Sequence, residues 1–252
     1  MEKISAVIIS FNEEKDIGRC LESVIDIADE VLVLDSFSTD GTESICRKYG
    51  IRFEQHVFDG YGSQKNRALQ MAVHDYILAL DADEALSEEA RSEVIRVKKE
   101  WRHDGYIFNR RNNYCGHWMR FTTWYPDRKL RLFDRRKAAW TDCDLHEYVK
   151  MVPGGTLMRL NGDLLHWTVR SEEEQSAKTE QFARISAQFY FNRGVRPVLG
   201  SAVLHCVWRW FREYCIRLGI LDGKAGWQVA RFSALYAWRK YHYLRQLYGN
   251  QR

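Results

Sequence analysis

The first eighty residues alternate between two apolar patterns. Ile4–Ser10, "ISAVIIS", is a short run rich in β-branched residues that stops at a polar turn, "FNEE", as a buried strand does. Beyond it Ile17, Leu21, Val24 and Ala28 recur at helical spacing, with Asn12 upstream as a candidate cap and Glu13, Glu14 and Asp16 suited to a helix's positive end. The alternation continues. "EVLVLD" (Glu30–Asp35) predicts a second strand, "TESICRKYG" (Thr42–Gly50) a helix closed by glycine, and "IRFEQH" (Ile51–His56) a third strand. "SQKNRALQMAV" (Ser63–Val73) predicts a helix and "YILAL" (Tyr76–Leu80) a fourth strand. Strand then helix at this interval implies an α/β fold, a mostly parallel sheet with helices on both faces. In such a sheet the loops after successive strands gather along one edge. Ser10–Glu13, Asp35–Asp40 and Asp81–Glu84 are therefore expected around one crevice.

After about residue 104 the pattern changes to short apolar or aromatic runs separated by turns: "GYIFNR", "LRLF", "HEYVKM" and "TLMRL". These read as further strands of the same domain. From Glu172 onward the spacing is helical, with breaks near Gly194–Pro197 and Leu221–Gly226. The expected organisation is a catalytic-type domain over residues 1–170 and a helical extension over 171–252.

Composition adds three constraints. Of 252 residues 45% are hydrophobic, enough for a real core, and only three prolines and no low-complexity tract leave no obvious linker. The opening "MEKISAVIISFNEE" has too few apolar residues for a signal-peptide core, and no run reaches the length of a membrane span. The six cysteines form no C-x-x-C pair, so neither a zinc ribbon nor a thioredoxin-like motif is supported; reduced thiols in a cytoplasmic protein are the simplest expectation. Charge is unevenly spread. Residues 1–100 carry 12 Lys+Arg against 21 Asp+Glu, whereas residues 101–252 carry 26 against 13, so the second half suits an anionic partner: nucleic acid, phosphorylated sugar or anionic membrane.

The fourth strand ends in "DADE", three carboxylates within four residues. Asp81 and Asp83, two apart after a strand, can direct oxygens toward one hard cation such as Mg2+ or Mn2+, with substrate phosphates completing the shell. The alternative is a strand-to-helix turn with capping acids, for which Ser87 before "EEARSEVI" speaks. An EF-hand loop is excluded, because Leu86 and Ser92 stand where it needs Gly and Glu.

Taken in order, "SFNEE" after the first strand, "DSFSTDGT" after the second, "QKNRAL" before the fourth and "DADE" after it resemble the inverting family 2 glycosyltransferases of the GT-A fold. The likeness is to the bacterial branch that glucosylates lipopolysaccharide cores and related surface glycans. It covers Ile4–His166, with "WYPDRKLRLF", "LHE" and "LLH" continuing it; Phe37 stands where the family usually has glycine. The resemblance implies a UDP-sugar site built from Ser10, Phe11, Asn12, Glu13, Asp35, Lys65, Asp81 and Ala82, with Asn66 and Arg67 beside Lys65. It implies Mn2+ or Mg2+ on Asp83, with Asp81 and His166, and Glu147 as the base that takes the acceptor's proton, His146 shaping its loop. Plainer readings stay open: Phe11 or His166 as core residues, Asn12 and Glu13 as helix-start residues, Glu147 as a surface acid. "HEYVK" lacks the second His of a zinc-protease motif.

In "WYPDRKLRLF" the aromatics Trp124 and Tyr125 suit sugar faces, while Asp127, Arg128 and Arg131 suit polar or anionic groups of an acceptor; alternatively the arginines pair with the acidic first half. Residues 174–252 carry 13 Lys+Arg against 4 Asp+Glu, interleaved with Trp208, Trp210, Phe211, Tyr214, Trp227, Trp238, Tyr241 and Tyr243. That mixture suits a peripheral anionic membrane surface, or aromatic packing on the catalytic domain. The resulting expectation is a metal-dependent transferase at the inner face of the cell membrane, moving a hexose, glucose from UDP-glucose, onto a lipid-linked or lipopolysaccharide-core saccharide. A sugar nucleotidyltransferase would need a glycine-rich phosphate loop where "SFNEEKDIGR" stands. A nucleic-acid-binding module would explain the tail but not the crevice acids, so no nucleic acid partner is expected.

Overall fold

The computed structural model describes residues 1–141, 147–196 and 200–249. In chain order the strands and helices are β1 (Ile4–Ser10), α1 (Ile17–Glu22), β2 (Glu30–Asp35), α2 (Thr42–Lys48), β3 (Arg52–Gln55), α3 (Tyr61–Met71), β4 (Tyr76–Asp81), β5 (Glu84–Leu86) and α4 (Glu88–Lys99). There follow β6 (Gly105–Tyr114), β7 (His117–Trp118), β8 (Asp127–Asp134), β9 (Ala138–Trp140), β10 (Val149–Met151), β11 (Leu157–Val169), α5 (Glu172–Asn192), α6 (Ser201–Phe211) and α7 (Gly223–Gly249). They group into two compact units. One comprises Met1–Arg110 and Asp127–Trp167; the other comprises Arg111–Pro126 and Thr168–Arg252.

The main sheet runs β3-β2-β1-β4-β8-β6-β11-β5. Its first four strands are parallel, as the strand-helix alternation requires. The β8 strand lies antiparallel to both β4 and β6, and β5 lies antiparallel to β11. Only β7 and a single 3-10 turn (Thr122–Trp124) separate β6 from β8, and antiparallel neighbours need no crossover α-helix. This α/β sheet bears out the fold expected from the sequence.

Side-chain alternation divides the first unit's core between the two sheet faces. Ile4, Ala6 and Ile8 pack with Cys20 and Leu21 of α1 and Val94 and Val97 of α4; Val7, Leu32, Leu34 and Ile77 pack with Ala68 and Leu69 of α3. Each such aliphatic, fully removed from water, stabilises the fold by about 1.5–3 kcal/mol. Helix α4 begins at the cap foreseen in the sequence: Ser87 Oγ accepts the Ala90 N–H (3.2 Å) and also the Asp163 N–H of β11 (3.0 Å). Close by, Gly162 has φ +78°, and a Cβ there would stand 2.4 Å from the Ala90 nitrogen.

In the second unit α5 and α6 both pack on α7. Ser171 Oγ caps α5 by accepting the Glu174 N–H (3.1 Å). A tight core of Tyr114, Met119, Val169 and Val229 joins the 111–126 segment to the helices. Two buried acids complete that join: Glu213 accepts the Thr123 N–H (2.8 Å), and Asp222 accepts the N–H groups of Arg120 (3.1 Å) and Phe121 (2.9 Å).

Two backbone positions give opposite expectations. Gly162→Ala forces a methyl group into the α4 backbone at a left-handed φ and lowers stability by about 2–5 kcal/mol. Phe37, half-exposed at φ +61°, occupies the region glycine adopts freely, so Phe37→Gly is neutral or stabilising by up to about 1 kcal/mol. Thermal unfolding of the two variants beside the parent measures both.

Candidate active site

The register of the parallel strands levels the site's floor. Ser10 lies opposite Asp35 and Ile9 opposite Asp81, so β1, β2 and β4 end together. Side chains then stitch the first two loops to each other. The Asn12 N–H donates to Ser38 Oγ (2.7 Å), Asn12 Oδ1 accepts the Thr39 N–H (2.8 Å), and the Glu13 N–H donates to Thr42 Oγ1 (2.8 Å). Asn12, at φ +56°, thus clamps two loops and is no helix cap; α1 starts five residues later, after Asp16. Asp35 is fully buried among donors, Ser10 Oγ (2.8 Å), Ser38 Oγ (2.5 Å) and the Ser38 N–H (2.7 Å).

Over this floor lies a cavity of about 620 Å³ lined by Ile9, Ser10, Phe11, Glu13, Ser36, Phe58, Tyr61, Lys65, Asp81, Ala82, Asp83, Glu147 and His166. Nine of the residues singled out in the sequence meet there: Ser10, Phe11, Glu13, Lys65, Asp81, Ala82, Asp83, Glu147 and His166. Phe11 is 58% exposed, an open aromatic face and no core residue. Asn12 and Asp35 do not line the cavity; they hold its rim. Asn66 exchanges hydrogen bonds with the Trp140 backbone (2.9 Å each way), and Arg67 pairs with Asp59 (3.0 Å). Trp124 and Tyr125 belong to the other unit, Arg128 is exposed on β8, and His146 lies outside the described residues.

The remaining candidates belong to a chain of alternating charges. Lys65 Nζ contacts Glu147 Oε1 (3.0 Å) and Asp81 Oδ1 (2.8 Å). The Arg131 guanidinium donates to Asp81 Oδ2 (2.6 Å) and Glu84 Oε1 (2.8 Å), and Arg110 bridges Glu84 (3.1 Å) to Asp127 (2.6 Å). Trp140 lies under both inner cations, 4.4 Å from Lys65 Nζ and 5.3 Å from the Arg131 guanidinium carbon, measured to the ring centroid. Arg131 is therefore a buried partner of the acids, the alternative that the sequence left open, and its side chain has no face for an acceptor. Burial alone would raise the Asp81 carboxyl; the charges of Arg131 and then Lys65 outweigh it and hold the acid far below the ordinary carboxylate range.

Asp83 stands apart from this chain. Among the described residues it has no Lys or Arg partner; its Oδ2 lies 3.1 Å from His166 Nε2, and its backbone oxygen accepts the Trp167 N–H (3.1 Å). No group of three or more His, Cys, Asp or Glu that could hold a metal ion occurs among the described residues. The donors present are one carboxylate with one imidazole, and they fit a divalent ion whose other positions are filled by phosphate and water oxygens. They do not fit an all-protein cage.

Four further residues carry the site without having been picked out in the sequence. Phe58 and Tyr61 are exposed, meet edge to face (5.0 Å) and line the cavity; their signal is an aromatic pair flanking Gly60, where α3 begins. Glu84 and Arg110 complete the charge chain. Glu84 was visible as the third acid of "DADE", whereas nothing in the sequence ties Arg110 to it.

Residues 5–151 match the model of glycosyl transferase family 2, more than half of the chain. The chain belongs to that family. Relatives of this family 2 glycosyltransferase include an uncharacterized glycosyltransferase of Rickettsia felis, 30% identical over 90% of this chain and 83% of that one. The lipopolysaccharide core biosynthesis glycosyltransferase LpsC of Rhizobium meliloti is 29% identical over 93% of this chain and 88% of its own length. Among solved structures, S. aureus TarS is 16% identical with a TM-score of 0.49, covering 95% of this chain and 54% of that one. Glucosyl-3-phosphoglycerate synthase from Mycobacterium tuberculosis, solved with Mn2+, UDP and glucosyl-3-phosphoglycerate, is 25% identical with a TM-score of 0.35, covering 46% and 45% of the two chains.

Removing Arg131 from this family 2 glycosyltransferase tests the charge chain. Arg131→Met leaves Asp81 and Glu84 each short of one buried cation and costs about 3–5 kcal/mol at neutral pH. Asp81 has a lowered folded-state pKa, so its contribution in the parent is full above the ordinary carboxylate range and fades as pH falls through about 4 and below. Denaturant titrations of parent and variant should differ most near neutrality and converge in acid.

Proposed function

We propose that this family 2 glycosyltransferase is an inverting hexosyltransferase that takes glucose from UDP-glucose and attaches it to a lipopolysaccharide-core or other lipid-linked saccharide. One observation carries the reading. A single cavity holds an open aromatic ring at Phe11, the Asp83–His166 donor pair and the Glu147 carboxylate. Those are the three parts that an inverting transfer from a nucleotide sugar needs.

Phe11 offers its face to the uracil, and Ser10, Glu13 and Ala82 border the nucleoside. Asp81, Asn12 and Asp35 work through the loops and charges that they hold. Asp83 and His166 would hold Mn2+ or Mg2+, which supplies positive charge for the departing diphosphate. Lys65, at the same wall, fixes the Glu147 carboxylate by its ion pair. The acceptor hydroxyl oxygen bonds to the anomeric carbon as the bond from that carbon to the phosphate oxygen breaks. Glu147 takes the hydroxyl proton, and attack opposite the leaving group inverts the anomeric centre.

The LpsC relative supports a lipopolysaccharide-core acceptor. Among the described residues no helix is long and apolar enough to cross a membrane. An acceptor anchored in lipid would bring the enzyme to an anionic membrane surface, on the proposed reading at its cytoplasmic face.

UDP binding, read by thermal shift or calorimetry, should depend on Mn2+ or Mg2+ in the parent and lose that dependence in Asp83→Ala. Glu147→Gln should keep UDP binding and reduce transfer by about 10²–10⁴-fold. Undiminished turnover in Glu147→Gln would remove that residue from the role of base.

A further inference from the structure

Helix α6 is turned the wrong way round for a helix of a globular domain. Val203, Leu204, Val207, Trp208 and Phe211 fall at successive turns of one stripe and are all exposed, Leu204 by 73%. The opposite side faces α7: Ala202 is buried, the Arg209 guanidinium lies over Tyr236 (4.8 Å), and the Trp210 ring meets Trp227 (5.5 Å). An apolar stripe of this kind exposed on a monomer marks a surface that something covers.

The charges around the stripe identify its partner. Between residues 201 and 224 the only acids are Glu213 and Asp222, and both are buried, accepting backbone N–H groups of residues 120–123. Arg217 and Lys224 are exposed in the same stretch, so the ionic groups that it offers to solvent are cations. A second copy of the chain would set like charges against each other, which disfavours self-association. Eleven residues make a helix of about 16 Å, half a bilayer's hydrocarbon thickness, so α6 can lie along an interface and cannot cross it. Tryptophan beside aliphatics with flanking cations is the chemistry of the headgroup boundary.

We propose that α6 is the membrane-seating element: its Val203–Phe211 stripe enters the surface of an anionic bilayer while Arg217 and Lys224 meet lipid phosphates. This narrows the membrane contact proposed above to one helix and rests on that reading for its purpose. The cavity residues take no part in it.

Flotation of the full chain with phosphatidylcholine vesicles, with and without phosphatidylglycerol, tests it. The parent should float with anionic vesicles, less so at high salt, and poorly with neutral ones. The double variant Leu204→Asp with Trp208→Asp should bind about a hundredfold more weakly, whereas Val73→Asp, an equally exposed apolar site in the other unit, should bind like the parent. Arg217→Glu with Lys224→Glu, which leaves the stripe untouched, should weaken binding at least about tenfold on anionic vesicles alone. Absence of parent binding at low salt, or unaltered binding by both double variants, overturns the proposal. So does a parent dimer that the α6 variant converts to a monomer. UDP-glucose hydrolysis in vesicle-free solution is read in parallel: hydrolysis without flotation sinks the seating helix alone, and flotation without hydrolysis sinks the donor assignment alone.

Discussion

The crevice depends on one constraint: carboxylates crowded at a strand end must each meet a cation or an open face. The sequence Glu147–Lys65–Asp81–Arg131–Glu84–Arg110–Asp127 solves it by strict alternation of sign. Each link joins a different element, so α3, β4, β5, β6, β8 and the segment before β10 are held to one another by charge. A buried network of this kind contributes little net stability beside an apolar core of equal volume. Its value lies in position. It spends the charges of Asp81 and Glu84 on Lys65, Arg131 and Arg110 and leaves Asp83 at the cavity wall with His166, which explains how three acids stand within four residues and only one lacks a Lys or Arg partner among the described residues.

The same arithmetic separates the two units. In the first, the prominent cations are absorbed by neighbouring acids, and Arg131, which the aromatic-basic stretch offered to an acceptor, lies inside. In the second, the acids Glu213 and Asp222 are spent on backbone N–H groups, and Arg217 and Lys224 stay at the surface. The charge asymmetry along the chain is therefore real, but its functional part is narrower than the totals imply.

Local patterns made much of the first unit legible. The bounds of β1 and β2, the placing of β4 and the Ser87 cap follow from β-branched runs, polar stops and a short hydroxyl before acidic residues, all of which act over a few residues. What could not be read is what depends on distant partners. The antiparallel half of the sheet, the pairing of Arg131 with Asp81 fifty positions away, and the grouping of residues 111–126 with the helices are choices made by tertiary packing. Asp35 illustrates the limit. Its place at a strand end was plain, but its burial under Ser10 and Ser38 turns a candidate ligand contact into a rivet. Phe37 illustrates another: the departure from glycine was visible, and only the backbone reveals that the left-handed turn is kept regardless.

The stitching of the loops after β1 and β2 has a consequence for recognition. Because Asn12, Ser38, Thr39 and Thr42 fix that rim by their own hydrogen bonds, the aromatic shelf at Phe11 exists before any guest arrives. The entropy of fixing those backbone torsions is met by folding, so docking of a base there, as proposed, would require no disorder-to-order transition of the rim. On the proposed reading, in which the shelf takes the base of a nucleotide, selectivity would come from shape and from which water molecules must leave, features that a rigid host can impose on closely related heterocycles without moving.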